Sequence, residues 1–467
     1  MKVMKFGGGC LKNCEHLLKV AEIIKLEKES VVVIVSALSG ITDLLENGIQ
    51  ISMKSSKKVS EIISTIRNLH KHVAETSIQD NEIKQRLMKD IENRLKKLER
   101  LFYGIAYTEE ITESIRAHIL SYGERLSALV LSEILKSLDK DAIAVEADQI
   151  AIITDESFEN ATAILPEVKK NMSSTILPLI SKRKIPIITG YFGCTHEGKV
   201  TTFGRNGSDY SAAVVAYGIG ANLLEIWKDV DGFMSGDPKI VKNPHRIERL
   251  SYYEAAELSY FGARIIHSRT VEPLVDASIP IRIRNLYNLK SKGTEVFGEG
   301  YEQEDVIKSI AYNKDISVLR IHGPGVGYKP GIIAEIGGIL SKMGINIYSI
   351  ITSQTCINLL VDRKDSRRSY ESIKNLVGGI IEKIDLEDNI ALIAVVGEGL
   401  LKRKGVAARV FSAVAEESVN IEMISLGASE VASYFIVKEK YVRKTINAIH
   451  REFFEKVESS GLQNPSF

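Results

Sequence analysis

Met1, Val3 and Met4 form a short apolar run closed by Lys5, and Gly7, Gly8 and Gly9 follow it. Leu17, Leu18, Val20, Ala21, Ile23 and Ile24 then recur at helical spacing, so the pattern predicts strand, glycine turn, helix. Val31 to Val35 is continuously apolar and β-branched, which predicts a strand buried on both faces of a helix-covered sheet. From about Ser56 to Leu101 the pattern is helical and highly charged. Ile83, Leu87, Ile91, Leu95, Leu98 and Leu101 make one apolar stripe on a long helix, whose charges read as a solvated face. A second helical segment, near Ile115 to Leu135, carries Glu124 and Arg125 among apolar residues, where a mutual ion pair is one reading. Ala142 to Val145, Ala151 to Thr154, Ile185 to Gly193 and Leu223 to Trp227 predict further strands.

After about Tyr301 the alternation shortens and the chain repeats itself. Ile316–Gly323 matches Ile390–Gly397 at an offset of 74. The same offset relates Gly325 to Gly399, Gly331 to Gly405, Ala334 to Ala408 and Asn346-Ile347 to Asn420-Ile421. Two gapless copies of one βα unit suit a paired domain better than a solenoid, which needs more and shorter repeats.

Three stretches carry candidate chemistry. At Lys5-Phe6-Gly7-Gly8-Gly9-Cys10, glycines free backbone N–H groups to approach an anion and the lysine adds charge. The lysine precedes the glycines, unlike a P-loop, so phosphate binding and a simple tight turn both remain open here. Ser36 to Asp43 is small and hydroxylated at a strand's carboxyl end, where open α/β sheets bind ligands; helix capping is the plainer reading. In Gly204-Arg205-Asn206-Gly207-Ser208-Asp209, an arginine and backbone donors converge on a helix start, with Ser208 and Asp209 as cap candidates. Asp229, Asp231 and Asp237 sit in a polar loop after the Leu223 strand, where turn roles compete with ligand roles.

Composition narrows the classes. Lys+Arg 61 against Asp+Glu 60 leaves no overall field for nucleic acid or an anionic membrane. No apolar run approaches the ~20 residues of a membrane span, and no signal peptide is visible. The four cysteines (Cys10, Cys14, Cys194, Cys356) fit reduced thiols of a cytoplasmic protein, with no metal tetrad.

Taken in order, Lys5-Phe6-Gly7-Gly8, Val35 to Thr42, Gly123-Glu124-Arg125-Leu126-Ser127, Gly204 to Ala212 and Asp229-Val230-Asp231-Gly232 resemble the motif set of the aspartate kinases. The C-terminal repeat resembles their tandem ACT domains. The resemblance spans nearly the whole chain. It implies an α/β catalytic domain over 1–300 with an open, mostly parallel sheet sandwiched by helices (the amino-acid-kinase fold). Two ferredoxin-like ACT units, at 301–385 and 386–467, would follow. It implies transfer of the γ-phosphate of ATP to the β-carboxylate of L-aspartate, with Mg²⁺ arriving on ATP. Lys5 and Gly7, Gly8 and Gly9 would hold phosphates, with Asp209 near the reacting group. Arg205 would meet the substrate α-carboxylate and Glu124 its ammonium, in a pocket lined by Ser36, Thr42, Tyr191 and Ser208. Lys228, Asp229, Met234, Lys239 and Arg264 would surround the nucleotide. Gly325, Gly327, Asn346 and Ile347 would bind an effector, lysine or threonine, in a homodimer or higher assembly joined through the ACT units. A dimerisation module without ligand is the alternative there.

The chain departs from the family pattern at Gly9-Cys10, where Thr-Ser is usual. It departs again at Lys228, Met234 and Lys239, where Thr, Tyr and Arg are usual, at Arg264 for a usual Lys, and at Ser268 in a His-Pro-Arg-Thr run. Two rival readings follow: another carboxylate kinase of the superfamily, and a non-catalytic amino-acid sensor.

Overall fold

The structure, a computed structural model, describes residues 1–204, 206–263, 265–298, 300–301 and 306–455. The chain forms two compact units. The first holds Met1–Phe233, Glu248–Ala256 and Ile265–Gly300, and the second holds Met234–Ile247 with the described parts of 257–264 and 301–467.

The strands of the first unit are β1 (Lys2–Phe6), β2 (Val31–Val35), β3 (Ala142–Val145), β4 (Ile185–Thr189), β5 (Phe192–Cys194), β6 (Val200–Thr202), β7 (Leu223–Lys228), β8 (Arg249–Ser251), β9 (Ile281–Asn285) and β10 (Thr294–Phe297). Its helices are α1 (Cys14–Lys25), α2 (Ile41–Ser52), α3 (Val59–Ser77), α4 (Asn81–Thr108), α5 (Glu113–Leu120), α6 (Tyr122–Ser137), α7 (Leu165–Thr175), α8 (Leu177–Ser181) and α9 (Gly207–Ile219). An eight-stranded sheet runs in the order β3-β4-β2-β1-β7-β9-β10-β8, parallel except between β9 and β10. All five residues of β2 are buried, as its unbroken apolar run requires. The chain leaves β1 for β2 on one side, and β7 later pairs on the other. That reversal of direction opens a crevice at the carboxyl ends of β1, β2 and β7, the place such sheets offer a ligand.

The predicted stripe on α4 is buried at Leu87, Ile91, Leu95 and Leu98, while Ile83 and Leu101 pack at its edge. Asp80 separates α3 from α4 by accepting the Ile83 N–H at 3.0 Å. The segment read as one helix over 115–135 is two, divided at Ser121, and α6 is buried from Tyr122 to Leu135. Ile153 and Thr154 make only isolated bridges. The strand read over 185–193 is β4 and β5, because the backbone turns at Tyr191, which holds φ +75°. Gly190 permits the turn: a Cβ there would lie 2.9 Å from both Val35 O and the Ser208 Cβ.

Helix α10 (Tyr252–Leu258) begins in the first unit and ends in the second, α11 (Glu272–Val275) belongs to the first, and both precede the repeat in sequence. The repeat comprises β11 (Ser309–Asn313), β12 (Ile316–His322), α12 (Ile332–Lys342), β13 (Ile347–Thr352), β14 (Cys356–Asp362), α13 (Ser366–Ile373) and β15 (Lys383–Glu387). Then come β16 (Ile390–Val396), α14 (Val406–Glu416), β17 (Met423–Ser425), β18 (Ala432–Lys438) and α15 (Val442–Phe454). The strands form two antiparallel sheets, β13-β14-β12-β15 and β11-β16-β18-β17. Strand β15 therefore crosses the expected boundary at 385/386, and β11 completes the second sheet. The offset of 74 holds from β12/β16 through α12/α14, and β14/β18 stand 76 apart, so the second copy carries two extra residues before β18. The repeated glycines serve repeated geometry. Gly331 and Gly405 start the two helices at φ +96° and +85°, and Gly325 and Gly399 stand at +80° and +87°.

Candidate active site

Lys5 is the penultimate residue of β1, its side chain is buried, and its Nζ lies 2.5 Å from Asp209 Oδ1. Lys228 ends β7, and its Nζ donates to Asp209 Oδ2 at 3.0 Å. One fully buried carboxylate thus sits between two ammonium groups, a trio with net charge +1 at the crevice. Burial alone would raise the Asp209 carboxyl, but Lys228 and Lys5 hold it down at about 2. Burial pulls the Lys5 ammonium below its ordinary range, against the attraction of Asp209. The charged form of such a group is favoured by a partner of opposite charge and gains from a further anion.

The glycines crowd this trio. A Cβ on Gly7 would stand 3.2 Å from Lys5 Nζ, and one on Gly9 would stand 3.3 Å from the Asp229 carboxylate. Gly8–Cys10 is a single 3₁₀ turn. Cys10 is buried, its Sγ donates to Trp227 O at 3.3 Å, and burial pushes its thiol up to about 11. It is a protonated packing residue, as its place in the core indicates.

Glu124 lies in the first turn of α6 and accepts the Ala37 N–H at 2.9 Å. The helix approaches that closely because Gly123 faces Ala37, where a Cβ would be 2.6 Å from the Ala37 Cβ. Burial pushes the Glu124 carboxyl up to about 8, although the Ala37 N–H and Lys5 oppose the rise. Its Oε2 is buried with no hydrogen-bond partner among the described residues. Glu124 and Arg125 do not pair with each other: neighbours on a helix diverge, and Arg125 turns to Glu146 and Asp148. Tyr191 is half-buried, and burial, reinforced by the Glu124 charge, pushes its phenol up to about 12.

Ser208 is buried in the first turn of α9. The cap reading of Ser208 and Asp209 does not hold, because α9 starts after Asn206 at φ +61° with no side-chain cap. Nor does a serine or threonine cap α2, whose N-cap is Gly40 at φ +83°. Ser36 lies on the loop after β2 and Thr42 in the first turn of α2, and neither hydroxyl has a hydrogen-bond partner among the described residues. Asp231 accepts from Asn285 Nδ2 at 3.0 Å, and Asp237 accepts the Lys239 N–H at 2.8 Å, a turn role. Met234 and Lys239 belong to the second unit, as do Gly325, Gly327, Asn346 and Ile347. Arg205 and Arg264 lie outside the described residues. Among the described residues no group of three or more His, Cys, Asp or Glu could hold a metal.

Sequence reasoning passed over Arg116. From α5 its guanidinium reaches Glu46 at 2.8 Å and also Glu159, and its charge is felt at Tyr191. No motif marks it; it sits in an ordinary charged helical stretch.

Fold and site together define an α/β unit of parallel-sheet class with a charged crevice, followed by a unit of two antiparallel sheets. The Amino acid kinase family matches residues 1–285, and ACT domains match residues 311–373 and 393–453. The chain therefore belongs to the amino acid kinase family, and within it to the aspartokinases. Aspartokinase 1 of Arabidopsis thaliana, a chloroplastic protein, is 30% identical over 98% of this chain and 81% of its own length. A bifunctional aspartokinase/homoserine dehydrogenase of Buchnera aphidicola is 30% identical over 97% of this chain, which spans only 56% of that longer relative. Among solved structures, E. coli aspartokinase III with aspartate and ADP (R-state) matches at a TM-score of 0.85. It is 27% identical and covers 97% of this chain and 100% of its own. The same enzyme with lysine and aspartate (T-state) matches at 0.80, 26% identical, over 97% and 99%.

Proposed function

We propose that the chain is an aspartate kinase, transferring the γ-phosphoryl group of MgATP to the β-carboxylate of L-aspartate to give 4-phospho-L-aspartate. The observation that carries this reading is the Lys5–Asp209–Lys228 trio, with Lys5 and Asp209 buried, in the crevice of a mostly parallel sheet. The attacking carboxylate is ionised at neutral pH, so no general base is required. Catalysis then reduces to bringing two anions together and neutralising the phosphoryl charge in flight. Lys5 and Lys228 supply that charge. Asp209 holds both lysines apart and aimed before the phosphate arrives, so little reorganisation is needed. Gly7, Gly8 and Gly9 allow backbone N–H groups to close on the phosphates. Asp229 stands beside Gly9 at the nucleotide side, with Met234, Lys239 and Arg264 assigned to the same ligand by family resemblance.

The neutral, half-satisfied Glu124 suits the substrate α-ammonium: binding would ionise the carboxyl and occupy its bare Oε2. Ser36, Thr42, Tyr191 and Ser208 line the aspartate side, and Arg205 takes the α-carboxylate. Magnesium comes as part of the nucleotide substrate, since few protein ligands are needed for it. The ACT units bind lysine or threonine through Gly325, Gly327, Asn346 and Ile347, within a homodimer. The product opens the route to lysine, threonine and methionine in the cytoplasm. Trapping with hydroxylamine tests the reaction. With MgATP and a panel of acidic acceptors, aspartate should yield a hydroxamate and glutamate and N-acetylglutamate should not; turnover of either of these instead would favour the other carboxylate kinases.

A further inference from the structure

Helix α4 was read as carrying a solvated charged face, yet part of that face lines a cleft. Arg94, Lys97 and Arg100 follow one another at a helical turn along α4 and form one wall of a cleft of about 490 Å³. Arg125 of α6, with Glu146 and Asp148 from the loop after β3, lines the same cleft. This lies within the first unit, and none of these residues was assigned to the candidate active site.

The charges do not balance. Arg125 is held by Glu146 and by Asp148 Oδ2 at 2.6 Å, and Arg94 shares Glu146 Oε1 at 2.7 Å. The two carboxylates are therefore used up by two arginines. Lys97 and Arg100 make no hydrogen bond or ion pair with any other described residue, and the Arg94 Nε is buried without a partner. His118 of α5 adds an imidazole to the rim, close enough for the Lys97 charge to act on it. Four cations against two carboxylates leave two positive charges, with unpaired donors, around a concavity of ligand size. An extended nucleic-acid backbone would need a longer basic track than one helix face, and the chain as a whole carries only +1.

We propose that this cleft binds a small organic dianion, a phosphate monoester or a dicarboxylate, whose charge is met by Lys97 and Arg100 beside the fixed Arg125. The pinned arginine is preorganised, so the ligand orders only the two outer side chains.

Lys97 and Arg100 are exposed, so removing them leaves the core intact. The test is calorimetric titration of the full chain, at low ionic strength, with inorganic phosphate and, separately, with malonate. Wild type should bind at least one probe with Kd below about 1 mM, and Lys97→Ala/Arg100→Ala should weaken that binding roughly tenfold or more. The charge-conserving Lys97→Arg/Arg100→Lys should retain it. Phosphate alone would assign the phosphate-monoester class, malonate alone the dicarboxylate class. Heat from neither probe, or equal affinity in wild type and the alanine double variant, would overturn the proposal.

Discussion

Asp209 is the residue on which the site's charge depends, because two lysines share it. Removing either lysine leaves the carboxylate paired, so such variants should fold; what they would lose, on the proposed reading, is charge at the phosphoryl group. Lys5→Ala should lower kcat by about 10²–10³-fold, the range seen when one preorganised electrostatic group is deleted. Lys228→Ala should cost less and should show mainly as a raised KM for ATP; steady-state kinetics at saturating aspartate separates the two. Glu124 gives a pH dependence. Its carboxyl titrates near 8, far above the ordinary value, so it holds a proton at pH 6 and loses it as pH rises toward 8. An ammonium group binds only the ionised form. The KM for aspartate should therefore fall as pH rises across this window, with proton release on binding, and Glu124→Gln should abolish the slope. A wild-type KM flat from pH 6 to 8 would contradict the assignment. Cys10, a buried thiol held protonated, should resist alkylation at pH 8 until the chain is unfolded.

At the scale of elements, the glycine loops of the repeat are required by close backbone approach. A Cβ on Gly323 would meet Ile380 O at 1.8 Å, and one on the equivalent Gly397 would meet Val306 O at 1.9 Å. Gly323→Ala and Gly397→Ala should each destabilise the second unit by about 1–3 kcal/mol, the cost of overpacking a site that cannot relax. Gly104→Ala on α4, where nothing lies within 4 Å of the new methyl, should instead stabilise by roughly 0.5–1 kcal/mol. Denaturant titration measures both signs. These elements also show what the sequence made legible. The β2 run, the α4 stripe and the 74-residue repeat were readable because burial on a fixed face leaves a periodic trace. The break at Ser121 was not, because α6 follows α5 without an intervening loop, and the nearby Gly123 serves the close approach to Ala37 rather than marking the join. Helix starts misled for a related reason: backbone in the left-handed region at Gly40 and Asn206 replaced the expected side-chain caps. In the site, Lys5 and Glu124 were found through motifs. The pairing of Lys228 with Asp209 joins strand and helix ends 19 residues apart, and no local pattern encodes it.

At the scale of the whole molecule, the chain pairs a unit with a charged crevice and a unit built from a duplicated fold. The ACT reading makes the second unit a receptor for an amino acid. Titration with lysine and with threonine should give saturable heat for at least one of them, and the same amino acid should inhibit turnover; heat from neither would leave the repeat a dimerisation module. Family membership rests on the matched length and the fold, whereas activity rests on the trio in the crevice. On the proposed reading, the departures at Gly9-Cys10 bear on how fast the site works, since two hydroxyl donors worth about 1 kcal/mol each are missing while the Lys5 charge remains and Lys228 adds a second. The measurement that bears most directly on the central claim is aspartyl hydroxamate formation at saturating MgATP and aspartate, compared between wild type and Lys5→Ala. The account predicts product from wild type and a rate at least about 10²-fold lower from the variant. Equal rates, or no product from wild type at high enzyme concentration, would contradict it.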